Sequence, residues 1–147
     1  MADPHDLERF RSAQDARGTY ARALAELRAG RKTSHWMWFV FPQLAGLGRS
    51  AMARRYAIGS LEEARAYLAD PVLGARLREC ARALVELEGR SAAQVLGDVD
   101  AMKLRSSMTL FTRAAPEEDV FRAVLETSFH GEPDPETGRR LAAPPGA

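Results

Sequence analysis

Apolar residues recur at helical spacing along most of the chain. Asp3 and Pro4 read as an N-cap followed by proline at the first helical position, opening a helix to about Ala16 with Leu7, Phe10 and Gln14 on one face. Tyr20, Leu24 and Leu27 follow i, i+4, i+7 spacing in a second helix that starts at Thr19 and stops at Gly30. Ser50 caps a third helix through Ile58, and Ser60-Leu61-Glu62-Glu63 is a capping box that opens a fourth to about Ala69. Asp70-Pro71 repeats the cap-plus-proline signal. Behind it Leu73, Leu77, Cys80/Ala81, Leu84 and Leu87 form an apolar stripe ended by Gly89. Ser91-Ala92-Ala93-Gln94 is a second capping box, Asp100 opens a segment from Met102 to Ala114, and Pro116 begins a helix through about Phe129.

No alternating strand pattern of useful length occurs. Trp36 to Phe41 has the aromatic and β-branched content of a buried strand, but a lone strand would leave its backbone groups without partners, so it is read as helix. The expectation is an all-α fold: one compact domain over residues 1–131, with about six to eight short helices. The stretch 132–147 holds four of the eight prolines and little apolar content, which predicts a poorly ordered tail.

Composition changes this picture little. The chain has 147 residues, 46% hydrophobic and 28% charged, with a net charge of +1, which suits one globular domain and argues against a polycation for nucleic acid. No apolar run approaches the ~20 residues that span a bilayer. The acidic, polar start Met1 to Asp6 lacks the basic-then-apolar plan of a signal peptide, and Cys80 is alone; a cytoplasmic protein without internal disulfides is expected.

Charge distribution is more informative than net charge. Between Glu26 and Glu62 lie 35 residues without a carboxylate and with six Lys or Arg, where about five acids would be expected by chance. Inside this window lies Ser34-His35-Trp36-Met37-Trp38-Phe39-Val40-Phe41-Pro42-Gln43, which holds both tryptophans. The aromatics read first as core, because such side chains bury ~150–250 Å² each. The flanking Ser34, His35 and Gln43 are not explained by packing. Gly46-Leu47-Gly48-Arg49-Ser50 matches no phosphate-loop fingerprint and reads as a turn, with Arg49, Arg54 and Arg55 supplying guanidinium groups nearby.

A second acid-free segment, Ala101 to Pro116, carries Lys103-Leu104-Arg105-Ser106-Ser107. Lys103 lies one helical turn before both serines. A deprotonated lysine could activate a serine, but the serine–lysine acyl-transfer motif has the opposite order, so a polar wall is the favoured reading. His5, His35 and His130 are too scattered for a metal site, and neither metal nor cofactor is expected.

Ser34 to Leu44, Ala53-Arg54-Arg55-Tyr56 and Lys103 to Phe111 closely resemble a bacterial family catalogued as domain of unknown function 1810. The resemblance runs from about Asp3 to Gly131 and implies a small, mainly helical fold, without a defined activity. Some members carry the label calpastatin; such inhibitors are disordered repeats, whereas this chain has no internal repeat and a clear amphipathic pattern.

Two acid-free segments with distinctive motifs suggest one cleft for an anionic, partly aromatic small molecule such as a nucleotide. Its ligand-binding set would be Ser34, His35, Trp36, Trp38, Gln43, Arg54, Arg55, Tyr56, Lys103, Arg105, Ser106 and Ser107. Were the protein an enzyme, His35, Lys103, Ser106 and Ser107 would be the catalytic candidates. The alternative is an interaction module that meets an acidic protein or nucleic acid through a basic surface, with the aromatics serving only as core.

Overall fold

A computed structural model describes residues 3–142. The described residues form ten α-helices: α1 (Glu8–Asp15), α2 (Thr19–Ala29), α3 (Met37–Val40), α4 (Ala51–Arg55), α5 (Leu61–Ala69), α6 (Pro71–Glu86), α7 (Ala92–Leu96), α8 (Asp98–Ala114), α9 (Asp119–Phe129) and α10 (Pro135–Ala142). A 3-10 turn over Ala16–Gly18 joins α1 to α2. The only β feature among these residues is an isolated bridge between Leu44 and Ile58. The fold is all-α, as the periodicity predicts. The helix count exceeds about eight because α3, α4 and α7 are single turns and the C-terminal stretch contributes a helix of its own. Among the described residues no helix is long and apolar enough to cross a membrane.

Local signals place most ends. Asp70 caps α6 through its carboxylate, which accepts from the Val72 and Leu73 N–H groups, and Ser91 and Gln94 form the reciprocal capping box of α7. Gly30 ends α2 in the left-handed conformation, φ 78°. The Asp3 signal works differently from the expected form. Its carboxylate accepts from Leu7 and Glu8 N–H, so residues 4–6 make a turn and α1 begins four residues after Pro4. The Ser50 helix is also shorter than its pattern predicts, because Ile58 leaves it to hydrogen-bond with Gln43 and Ala45.

The long helices α6 and α8 organise the interior. Each packs on α5 and α9; α2 closes the outer side of α6, and α7 and α10 lie on α8. Leu73, Leu77 and Leu84 are buried on α6 as the stripe requires, while Leu87, beyond the helix end, is only partly covered. Gly74 marks the tightest approach: a Cβ there would sit 2.1 Å from the Leu68 carbonyl oxygen, so the turn into α6 excludes any side chain. Cys80 is fully buried, and burial pushes its thiol up to about 12, which leaves it a packing residue.

The C-terminal stretch departs from its compositional expectation. Residues 135–142 are helical, and Thr137 is fully buried. Asp134 accounts for this. Its carboxylate accepts from the Thr137 N–H (3.0 Å) and hydroxyl (2.5 Å), capping α10, while its own N–H donates to Thr109 on α8 (2.8 Å). Arg105 donates to the Glu132 and Pro133 carbonyls and ties the approach down. A few placed polar groups thus dock a segment with little apolar content of its own. Residues 143–147 lie outside the described residues.

Candidate functional site

The aromatic motif begins on a carboxylate. Glu26 lies on the inner face of α2, and its Oε1 accepts from the Thr33 N–H (2.8 Å), the Ser34 N–H (3.0 Å) and the buried Trp36 indole N–H (2.9 Å). Its Oε2 accepts from the Ser34 hydroxyl at 2.6 Å. Burial raises the carboxyl's proton affinity, but these donors outweigh it and hold its pKa down to about 2. Glu26 therefore remains ionised and fixes the loop that delivers the motif. Ser34 and Trp36 are committed to it, and Trp36 is fully buried.

The two motifs meet through their tryptophans and lysines. The Lys32 ammonium lies 5.2 Å from the Trp36 ring centroid, and the Lys103 ammonium lies 5.3 Å from that of Trp38. Asp100 joins them, at 2.9 Å from Lys32 Nζ and 3.5 Å from Lys103 Nζ. One carboxylate serves two cations, so the Lys103 ammonium, which can donate three hydrogen bonds, keeps capacity for a further acceptor. Phe39 is fixed from the other side, where its carbonyl accepts from Gln14 Nε2 at 2.8 Å.

Beside this junction opens a cleft of about 370 Å³. Gln43, Leu47 and Gly48 form one wall, and Val99, Met102, Lys103 and Ser106 on α8 form the other. Asp134 and Glu136 close its end. Val99 and Met102 are 69% and 71% exposed, the highest values among the large hydrophobics of the described residues, so the mouth is apolar and wet. Both rim carboxylates are engaged: the Ser106 hydroxyl lies 3.1 Å from Asp134 Oδ2, and Glu136 pairs with Arg139 and Arg140. A larger groove of about 510 Å³ lies between Arg65, Arg78 and Glu118, but there Arg78 is already held by Glu118 through two hydrogen bonds of 2.6 and 2.9 Å.

The expected ligand set is thus divided. Gln43, Lys103 and Ser106 share the cleft, with the half-buried Trp38 against Lys103. His35 is exposed and does not line it. Arg54 and Arg55 are exposed on α4, away from the cleft lining, and Tyr56 is buried. Arg105 is used on the chain preceding α10. Ser107 is fully buried and makes no hydrogen bond to Lys103; its hydroxyl, the Trp38 indole N–H and the Thr112 hydroxyl are buried without a hydrogen-bond partner. The glycine loop is shaped by packing: a Cβ on Gly46 would sit 2.5 Å from Arg140 Nη1, and one on Gly48 equally close to the Ala53 Cβ.

Four carboxylates escaped the sequence reading: Glu26, Asp100, Asp134 and Glu136. Glu26 was within reach of it, since it lies three residues from Ala23 on the apolar phase of α2 and borders the acid-free window. The others act through contacts across the fold that spacing does not encode.

Fold and site together define a small helical protein whose two motif-bearing segments converge on one apolar cleft. Residues 4–141 match the family described as Protein of unknown function (DUF1810), and the chain belongs to that family. It is similar to the conserved hypothetical protein Rv1873 from Mycobacterium tuberculosis, known from a crystal structure, at 50% identity and a TM-score of 0.93. That match covers 97% of this chain and all of the other. No curated protein matches the chain.

Proposed function

We propose that the cleft between the Gln43–Gly48 loop and α8 binds a small molecule with an anionic group and an apolar body. One observation carries the reading: polar residues of both motifs, Gln43, Lys103 and Ser106, come together beside the exposed Val99 and Met102. The anionic group meets the Lys103 ammonium, and the body lies along Leu47, Val99 and Met102. Among the described residues no aromatic side chain lines the cleft, which gives a nucleotide base no stacking partner there, and an aliphatic or simple ring body fits better. A binding role is sufficient for this geometry: the Asp134 carboxylate beside the Ser106 hydroxyl also accepts from the Thr137 N–H and hydroxyl as the cap of α10.

Octanoate is the simplest probe. At 100 times its dissociation constant it should stabilise the protein by ~2.7 kcal/mol, read as a rise in melting temperature. Lys103→Gln and Met102→Asp should each remove most of that rise, whereas Arg54→Glu should leave it intact. Equal protection in wild type and both cleft variants would overturn the assignment. The interaction-module reading is favoured by one observation, the exposure of Arg49, Arg54 and Arg55 near one another in sequence with no ion pair among the described residues. Binding of an acidic peptide that Arg54→Glu abolishes, with octanoate inert, would favour it.

A further inference from the structure

We propose that a pocket between α8, α9 and the segment after α9 is a second binding site, which takes a small carboxylate through Arg113 and Thr112. The space measures about 200 Å³ and is lined by Thr109, Thr112 and Arg113 on α8, Arg122 and Leu125 on α9, and Pro133. The three α8 residues are spaced i, i+3, i+4 and so share one face of the helix. The pocket has no lining residue in common with the cleft, so the inference stands independently of the function proposed above. Its charge also differs. Two guanidinium groups and no carboxylate line it, whereas Asp134 and Glu136 close the cleft and Glu117 and Glu118 line the larger groove.

The two arginines are not equivalent. Arg122 is engaged by the Asp119 carboxylate and the Pro116 carbonyl. Arg113 enters no ion pair and no hydrogen bond among the described residues. It stands in the last turn of α8, where the helix dipole favours a cation but takes up none of its N–H groups. A Cβ on Gly138 would come within 3.4 Å of its Nη2, so the guanidinium rests against α10 at a residue without a side chain. Thr112 adds a second unused group. Thr109 and Thr127 donate their hydroxyls to the carbonyl four residues back, at 2.8 and 2.9 Å, but the Thr112 hydroxyl is buried without any partner. A buried hydroxyl left unpaired is costly, and a guanidinium can only donate, so the group missing from this pocket is an acceptor. A carboxylate presents two oxygens to the guanidinium fork. Leu125, Pro133 and the threonine methyl groups give its body an apolar surface. The space falls below the roughly 300–1,000 Å³ of drug-sized sites, so that body is only a few carbons long.

Titration of the full-length, methyl-labelled protein with butyrate tests this, with butanol as the uncharged control. The methyl signals of Thr112 and Leu125 should move together and saturate with butyrate, and butanol should not reproduce the curve. Arg113→Gln, at an exposed position, should weaken butyrate at least about tenfold, as loss of a charge-assisted pair implies. Thr112→Val keeps the side-chain shape and removes only the unpaired hydroxyl. Read at Leu125, it should weaken butyrate about threefold while the melting temperature stays level or rises. Equal response to butanol and butyrate would overturn the site, as would an affinity that neither substitution changes. A shift confined to the Met102 methyl would put the carboxylate in the cleft instead and overturn the pocket. No shift at any of these methyls would overturn it too, without touching the octanoate test of the cleft.

Discussion

Glu26→Ala is expected to lower the unfolding free energy by about 3–5 kcal/mol. The carboxylate accepts four hydrogen bonds, and its removal orphans the fully buried Trp36 indole together with two loop N–H groups. Each buried donor left unsatisfied costs ~1–3 kcal/mol, tempered here because the backbone groups at residues 33–34 can turn to water. The same group gives the protein an acid-sensitive leg. Its folded pKa of about 2 lies below the ordinary value of 4.5, so its stabilisation is fully present above about pH 4.5 and is lost as pH falls towards 2. Urea unfolding followed across that window should show a decline in wild type that Glu26→Gln flattens. An unchanged slope would mean that Glu26 is not held ionised by the loop.

Phe111→Ala should cost a similar ~3–5 kcal/mol, by a different physical route. Phe111 closes the second motif and is fully buried, with ring centroids 5.4 Å from Tyr67 and 5.9 Å from Phe121. It therefore joins α5, α8 and α9 in one aromatic cluster, and truncation opens a cavity where three helices meet. Phe111→Leu should recover more than half of the loss, because it restores most of the volume. A urea midpoint within error of wild type for Phe111→Ala would show that the cluster does not carry the packing of α8. The two substitutions also separate the halves of the fold: one acts on the loop after α2, the other on the α5–α8–α9 centre, and their effects should add.

Both sites show what the sequence made legible. Periodicity and caps located α2 and the helices from α4 to α9, because an apolar stripe and a hydroxyl or carboxylate at the N-cap act within a few residues; α3 was read as helix only because a lone strand would lack partners. The Leu73–Leu84 stripe is one example and the Ser91–Gln94 box another. What the sequence obscured depends on partners far along the chain. Asp100 and Asp134 look like ordinary helix-start acids. Only folding reveals that one holds Lys32 and Lys103 together and that the other docks α10 on Thr109 and Ser106. Residues 135–142 are helical despite their composition because Asp134 caps α10, and the buried Thr137 and the partly buried Leu141 anchor it on the core.

The acid-free window carries a related lesson. It read as a field of one sign, but the field is answered from outside the window, by Glu26 on one side and Asp100 on the other. The cleft is consequently less cationic than the sequence implied, and among the described residues Lys103 is the one cation that lines it. The pairing of the two motifs was legible; the identity of the residues at their junction was not, since His35 turned outward and Ser107 inward.

The most direct measurement of the cleft's role is a filtered NOE experiment between unlabelled octanoate and protein labelled at its methyl groups. The account predicts contacts from the octanoate chain to the methyls of Leu47, Val99 and Met102, concentrated on the side next to Lys103. Contacts confined to methyls of another groove, such as Leu68 between α5 and residues 115–118, or none at octanoate concentrations that raise the melting temperature, would contradict it.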